Sequence, residues 1–205
     1  MRRFCLLLFL VLVVFSAQAG AFSASEISKA FVESYRYEKM GAYKEAIKAL
    51  LPLYQEAPRR YLLNLRLGWL YYLSGKYGDA IAYYQKAAEV RPESIEPLLG
   101  LSLPLMARGN WGKVERLMNR IISKDPYNYY ANLRLAVALR LQNKAPLAEK
   151  VARKMLKLYP SSLDFLVELG RIFTWQGKKK EARQIFLRVL LLDPQNVAAR
   201  EALKK

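Results

Sequence analysis

Residues 61–94 read YLLNLRLGWLYYLSGKYGDAIAYYQKAAEVRPES. Two helical runs flank Gly75, a residue that tolerates the left-handed conformation in which one helix stops and the next turns back. Pro92 lacks a backbone N–H and disfavours the helical region for its predecessor, so the second run ends close to it. The stretch therefore predicts a helical hairpin with its turn at Gly75.

The same marks recur on both sides of it. Prolines stand at Pro58, Pro92, Pro126, Pro160 and Pro194, each 34 residues after the last, without insertion or deletion. At the same spacing come Gly41, Gly75, Gly109, Asn143 and Gly177, all able to close a mid-hairpin turn. Five residues past each turn lie Ala46, Ala80, Val114, Ala148 and Ala182, small side chains where two helices approach, and bulky positions such as Tyr84, Met118 and Phe186 fall between. A period sustained over a chain outranks element-by-element assignment. It divides this one into hairpins at about 27–60, 61–94, 95–128, 129–162 and 163–196, and leaves 197–205 as a short C-terminal capping helix. Ser23-Ala24-Ser25-Glu26 reads as a capping box, which predicts a helix start near residue 24.

Leu67-Gly68, Tyr71, Gly75, Tyr77, Ala80, Tyr84, Ala87 and Pro92 together resemble the tetratricopeptide repeat, and the resemblance extends over about 27–194. It departs at Glu33-Ser34, where Leu-Gly is usual, and at Ala145, where an aromatic is expected. The resemblance implies an all-α, right-handed α-solenoid of five hairpins whose first helices line a concave side, where members of the family bind extended or helical peptides. In a helix, the face opposite the small packing positions returns at three- and four-residue steps. Applied here, this selects Tyr35, Leu62, Leu65, Trp69, Tyr72, Leu103, Met106, Tyr130, Val137, Arg140, Arg171 and Trp175 as a partner-binding groove, aromatic and apolar in its middle with arginines toward its C-terminal end. Trp, Tyr and Arg dominate binding energy at desolvated interfaces; packing between repeats is the other use of Trp69, Tyr72, Tyr130 and Trp175. The family's carboxylate-gripping arrangement pairs Lys and Asn on first helices. Leu65 and Trp69 hold those places here, so a chaperone C-terminal peptide is not indicated.

Lys and Arg number 34 against 17 Asp and Glu, a net charge of +17, and there is no histidine. The missing histidine excludes serine–histidine triads, Cys–His pairs, His-based zinc sites and haem ligation through His. With no phosphate loop, metal-ligand cluster or nucleophile elbow either, the chain reads as non-enzymatic, with no catalytic residue, metal or cofactor. Positive charge is densest toward the C-terminus. Lys150, Arg153, Lys154 and Lys157 follow i, i+3, i+4, i+7 spacing along one helix face, and Lys178, Lys179 and Lys180 sit at the next turn. They form either a solvated face or a contact for an anionic polysaccharide, lipopolysaccharide or membrane surface.

Arg2 and Arg3, the apolar run from Phe4 to Phe15 and Ala17-Gln18-Ala19 read as a secretory signal over 1–19. The run is shorter than the ~20 residues that span a bilayer, and it holds the only cysteine, Cys5. The expectation is an exported protein, periplasmic or extracellular, acting as a protein–protein interaction scaffold or adaptor in the bacterial cell envelope. An exported protein seldom meets nucleic acid. The alternative is a binder of an anionic polymer or membrane surface. The last hairpin, with Phe186 and Val189 to Leu192, offers more apolar surface than a nine-residue cap hides, which points to self-association or a partner at that end.

Overall fold

The computed structural model describes residues 22–204, and the leader expected over 1–19, with Cys5, lies outside the described residues. Five helical hairpins follow one another: α1 (Ala24–Lys39) with α2 (Tyr43–Glu56), α3 (Tyr61–Leu73) with α4 (Tyr77–Val90), α5 (Glu96–Ala107) with α6 (Trp111–Lys124), α7 (Tyr129–Leu141) with α8 (Ala145–Leu158), and α9 (Leu163–Trp175) with α10 (Lys179–Leu192). A short α11 (Val197–Leu203) closes the array.

Each hairpin turns through one left-handed residue. Gly41, Gly75, Gly109 and Gly177 have φ of +71°, +76°, +67° and +73°, and Asn143 reaches +61°, a region Asn visits more easily than other side-chain-bearing residues. The same 2.9 Å bond recurs at all five turns, from the N–H of Ala42, Lys76, Asn110, Lys144 and Lys178 to the carbonyls of Tyr37, Tyr71, Leu105, Leu139 and Phe173. These satisfy carbonyls that a helix end would otherwise leave bare. At the start of α1 Ser23 accepts from the Glu26 N–H at 3.2 Å while Glu26 accepts from the Ser23 N–H at 2.8 Å, the expected capping box.

Every helix packs on its neighbours in sequence. In addition α3 meets α5, α5 meets α7 and α7 meets α9, whereas the second helices have no comparable contact with one another among the described residues. The first helices therefore lie on the inside of a curved α-solenoid and the second helices splay outward. Close approach within hairpins rests on small residues: Ser34, Gly68, Ser102, Ala136 and Gly170 on the first helices and Ala46, Ala80, Val114, Ala148 and Ala182 on the second are all buried.

A slower rhythm of two hairpins overlies this. The Tyr61 hydroxyl lies 2.8 Å from Ser94 Oγ and donates to Glu96 at 2.9 Å; Tyr129 lies 2.7 Å from Ser162 Oγ and donates to Asp164 at 2.9 Å. Each tyrosine thus ties its own hairpin to the start of the next. At the C-terminal end, α11 helps bury Phe186 and Val189 but leaves Leu191 at 85% and Val197 at 74% exposure, so the cap seals the core and not the outward stripe.

Candidate functional site

The concave side carries two open troughs. The N-terminal one, about 660 Å³, is lined by Tyr35, Glu38 and Lys39 of α1, Leu62, Leu65, Arg66 and Trp69 of α3, and Glu96 of α5. Tyr35, Leu62, Leu65 and Trp69 thus come together as one apolar wall. Arg66 at its base is buried: Nε donates to Ser34 Oγ at 3.1 Å, Nη1 donates to Glu38, and the Tyr35 ring lies 3.7 Å from the guanidinium carbon. Trp69 Nε1 donates to the other Glu38 oxygen at 2.7 Å, so one carboxylate positions both the cation and the indole.

The C-terminal trough, about 630 Å³, is lined by Arg140, Arg171, Thr174 and Trp175 with residues of α10 and α11. Its arginines are not free charges. Arg140 donates to both oxygens of Glu168, at 2.7 and 3.3 Å, and Arg171 lies 3.9 Å from the same carboxylate, which is 1% exposed. Trp175 Nε1 donates to Asn143 at 3.1 Å, leaving the ring 51% exposed. Arg140–Glu168 and Glu38–Arg66 occupy the same register positions three hairpins apart, with their signs exchanged.

Between the troughs, α3, α5 and α7 carry Tyr72, Leu103, Met106, Tyr130 and Val137. Tyr72 is half-buried, packed on Trp69 at 5.7 Å and Tyr77 at 6.0 Å, whereas Tyr130 is 58% exposed. Sequence reasoning missed the residue that links them, Arg134, which holds in the fourth hairpin the place of Arg66 in the second. Its Nη1 donates to Ser102 Oγ at 2.6 Å and to the Leu99 carbonyl, and its guanidinium carbon lies 5.8 Å from the Tyr130 ring centre. Where Arg66 faces Glu38, the matching place opposite Arg134 holds Met106. Among the described residues Arg134 has no carboxylate within 4.0 Å, and its Nε and Nη2 make no hydrogen bond. Burial pulls its pKa below the usual arginine value: the half-buried cation has given up part of its water without gaining a counter-charge. The repeated string Asn64-Leu65-Arg66-Leu67 and Asn132-Leu133-Arg134-Leu135 was the available signal.

Family profiles described as tetratricopeptide repeat match residues 64–94, 101–163 and 139–205. The chain belongs to the tetratricopeptide-repeat family. It is 27% identical to the human protein O-mannosyl-transferase TMTC1 over 68% of its own length and 20% of that protein, so it spans about a fifth of that relative. A tetratricopeptide repeat protein from Parabacteroides merdae superposes with a TM-score of 0.77 at 18% identity, over 87% of this chain and 71% of that one. YrrB, described as a tetratricopeptide repeat protein with an unusual peptide-binding site, gives 0.71 at 13% identity, over 90% and 93%. At these identities the structural likeness is one of fold.

On the outer side of this tetratricopeptide-repeat solenoid, Lys150, Arg153, Lys154 and Lys157 line a trough of about 630 Å³ between α6, α7 and α8. Much of that basic face is engaged internally. Arg153 and Lys178 both bind Glu149, at 2.7 and 3.3 Å, and Lys154 donates to the Pro126 carbonyl while lying 4.8 Å from the Tyr127 ring centre. Lys150, Lys157, Lys179 and Lys180 have no carboxylate within 4.0 Å among the described residues. Burial pushes the Glu149 pKa up, but hydrogen bonds from Arg153, Gln176 and Lys178 outweigh it and hold the carboxyl below its usual range. Its folded value therefore lies under the unfolded one of about 4.3. The stabilisation is present above the unfolded value and is lost as pH falls through the folded one. Glu149→Gln is expected to lower the melting midpoint at pH 7 and to matter progressively less toward pH 3, followed by circular dichroism. An equal penalty at both pH values would show that Glu149 acts through packing rather than charge.

Proposed function

We propose that this chain is a non-catalytic adaptor that binds a partner segment along its concave side, and that the segment places an acidic side chain against Arg134. The observation that carries the reading is the isolation of that cation. Arg66 and Arg140 each have a carboxylate within hydrogen-bonding distance, and Arg134, in the middle of the same surface, has none. A partly desolvated charge without a counter-ion is costly, and a ligand carboxylate would offset that cost while gaining a charge-assisted bond. Tyr130 and Tyr72 flank the position with exposed and half-buried aromatic surface, and Trp69 packs on Tyr72 beyond it, the side chains from which binding hot spots are built. The described peptide-binding site of YrrB supports the class of function. The composition of residues 1–19 supports a setting in the cell envelope, where the partner would belong to an envelope assembly.

The C-terminal basic face is the weaker binding surface, because Arg153, Lys154 and Lys178 are already occupied. The test is selection from a random peptide library by the wild-type chain and by Arg134→Glu. Wild type is expected to enrich Asp or Glu at one position beside apolar residues. The variant is expected to reverse that preference to Lys or Arg, and Trp69→Ala to weaken selected peptides by about thirtyfold, the loss of a hot-spot tryptophan. An acidic preference that persists in Arg134→Glu, or enrichment of no shared sequence, overturns the reading.

A further inference from the structure

The splaying of the second helices opens another trough, on the outer side between α4 and α6, with α5 as its floor. It encloses about 530 Å³ and is lined by Ile81 and Gln85 of α4, Leu101 and Leu105 of α5, and Lys113, Arg116, Leu117 and Arg120 of α6, with Arg108 and Asn110 at one end. Leu101 and Leu105 are buried and Ile81 and Leu117 half-buried, so the floor is apolar. Arg108, Lys113, Arg116 and Arg120 on the rim are all exposed.

These four cations are not used by the fold. Among the described residues none has a carboxylate within 4.0 Å. The acids that feel Arg116 and Arg120 are Glu115 and Glu93; each is committed elsewhere, Glu115 accepting from Lys144 at 2.7 Å and Glu93 from Lys124 at 2.8 Å. The register positions make the contrast plain. One hairpin on, Lys154 stands where Arg120 stands and donates to the Pro126 carbonyl; two hairpins on, Arg188 donates to the Pro160 carbonyl at 2.7 Å. Arg120 makes no such bond. The position has a structural task in its neighbours and is released from it in this hairpin.

Lys113, Arg116 and Arg120 follow i, i+3, i+7 spacing, which puts them in one row about 10 Å long on the trough side of α6. We propose that this trough docks an acidic amphipathic helix of a protein partner, with apolar side chains on Leu101, Leu105 and Leu117 and carboxylates at matching i, i+3 or i+4, and i+7 positions along the α6 row. A helix laid in a groove reads its partner at this spacing. Single-stranded nucleic acid calls for aromatic stacking platforms, and the lining holds no aromatic ring. A bilayer surface offers headgroups in a plane, whereas this row edges a trough whose apolar floor, Leu101 and Leu105, is buried below it.

The probe is a fluorescein-labelled synthetic peptide of about 20 residues, long enough to hold a helix, with Glu at i, i+3 and i+7 and Leu on the adjoining stripe. Anisotropy is measured on the full chain at about 0.15 M salt. Saturable binding is expected, weakened at least tenfold by Arg116→Glu with Arg120→Glu, and equally by Glu→Gln replacement in the peptide. Lys150→Glu with Lys157→Glu, and Trp69→Ala, are each expected to leave it within twofold. All the charge reversals are at exposed positions, and circular dichroism checks the fold. Absence of saturable binding overturns the proposal, as does an equal loss in the two charge-reversal pairs, which would mark diffuse attraction. Loss only in Trp69→Ala would assign the peptide to the concave groove. Charge reversal at Arg116 and Arg120 that abolishes binding to phosphatidylglycerol vesicles, but not to the peptide, would assign the row to a membrane.

Discussion

Replacing Gly100 by alanine is expected to destabilise the chain by about 2–3 kcal/mol, a fall in melting midpoint of about 5–10 °C. The Tyr84 ring is 4% exposed and lies between two glycines, one on its own hairpin and one on the next. A Cβ at Gly68 would meet Tyr84 Cδ1, Cε1 and Cγ at 3.0 Å, and one at Gly100 would meet Cε1, Cδ1 and Cζ at 2.2, 2.6 and 2.7 Å. The second approach is far inside van der Waals contact, and the ring is walled in, so α5 must back away from α4. Interfaces between neighbouring repeats carry much of a solenoid's stability, so the loss falls on the seam between hairpins two and three. Gly78 is the control: it lies in α4 with nothing within 4 Å of its notional Cβ, and Gly78→Ala is expected to stabilise by about 0.5–1 kcal/mol through the unfolded state. Adding Tyr84→Leu to Gly100→Ala is expected to recover at least about 1 kcal/mol relative to the sum of the single changes. Thermal melts of the four variants decide it. Similar shifts for Gly100→Ala and Gly78→Ala would mean that the Tyr84 contact contributes nothing.

Volume is exchanged between two register positions along the array. Where the second helix offers an aromatic, Tyr84 or Phe186, the first helix answers with Gly68 or Gly170. Where it offers Leu50, Met118 or Ala152, the matching residue is Ser34, Ser102 or Ala136. The fold was legible because its marks are local: a left-handed turn needs one residue with a suitable φ, and a helix end needs one missing N–H. The groove was legible only as a face. Helical periodicity selected Arg140 because it points to the concave side, but the Glu168 that holds it lies 28 residues on, and its burial is a product of stacking. The basic stripe shows the same limit. Spacing placed Lys150, Arg153, Lys154 and Lys157 together, and it places Lys113, Arg116 and Arg120 together equally well. Whether such a cation meets a carbonyl, as Lys154 does, or only water depends on a loop one hairpin away. Arg134 was within reach of sequence reasoning through its repeated Asn-Leu-Arg-Leu string, though its lack of a counter-ion was not.

Exchanging the charges of Arg140 and Glu168 is expected to preserve most of the stability, whereas Arg140→Leu or Glu168→Arg alone is expected to cost about 3–5 kcal/mol. The Glu168 side chain is 2% exposed and that of Arg140 11%, so removing either partner leaves the other charge in a medium that solvates it poorly. The exchange has a template in the same molecule, because Glu38 and Arg66 fill the corresponding positions with the opposite polarity. That template has two further parts: Ser34, which accepts from Arg66 Nε at 3.1 Å, and Trp69, which donates to Glu38 at 2.7 Å. In the fourth and fifth hairpins their places hold Ala136 and Arg171. Arg140→Glu with Glu168→Arg would therefore leave the relocated guanidinium short of one acceptor and next to a like charge. Adding Ala136→Ser and Arg171→Trp supplies both missing parts, and the fourfold variant is expected to exceed the double reversal in its urea midpoint. A double reversal no more stable than the single changes would show that the polarity of this site is set by more than the pair. A fourfold variant no better than the double would show that Ser34 and Trp69 are bystanders to the ion pair they touch.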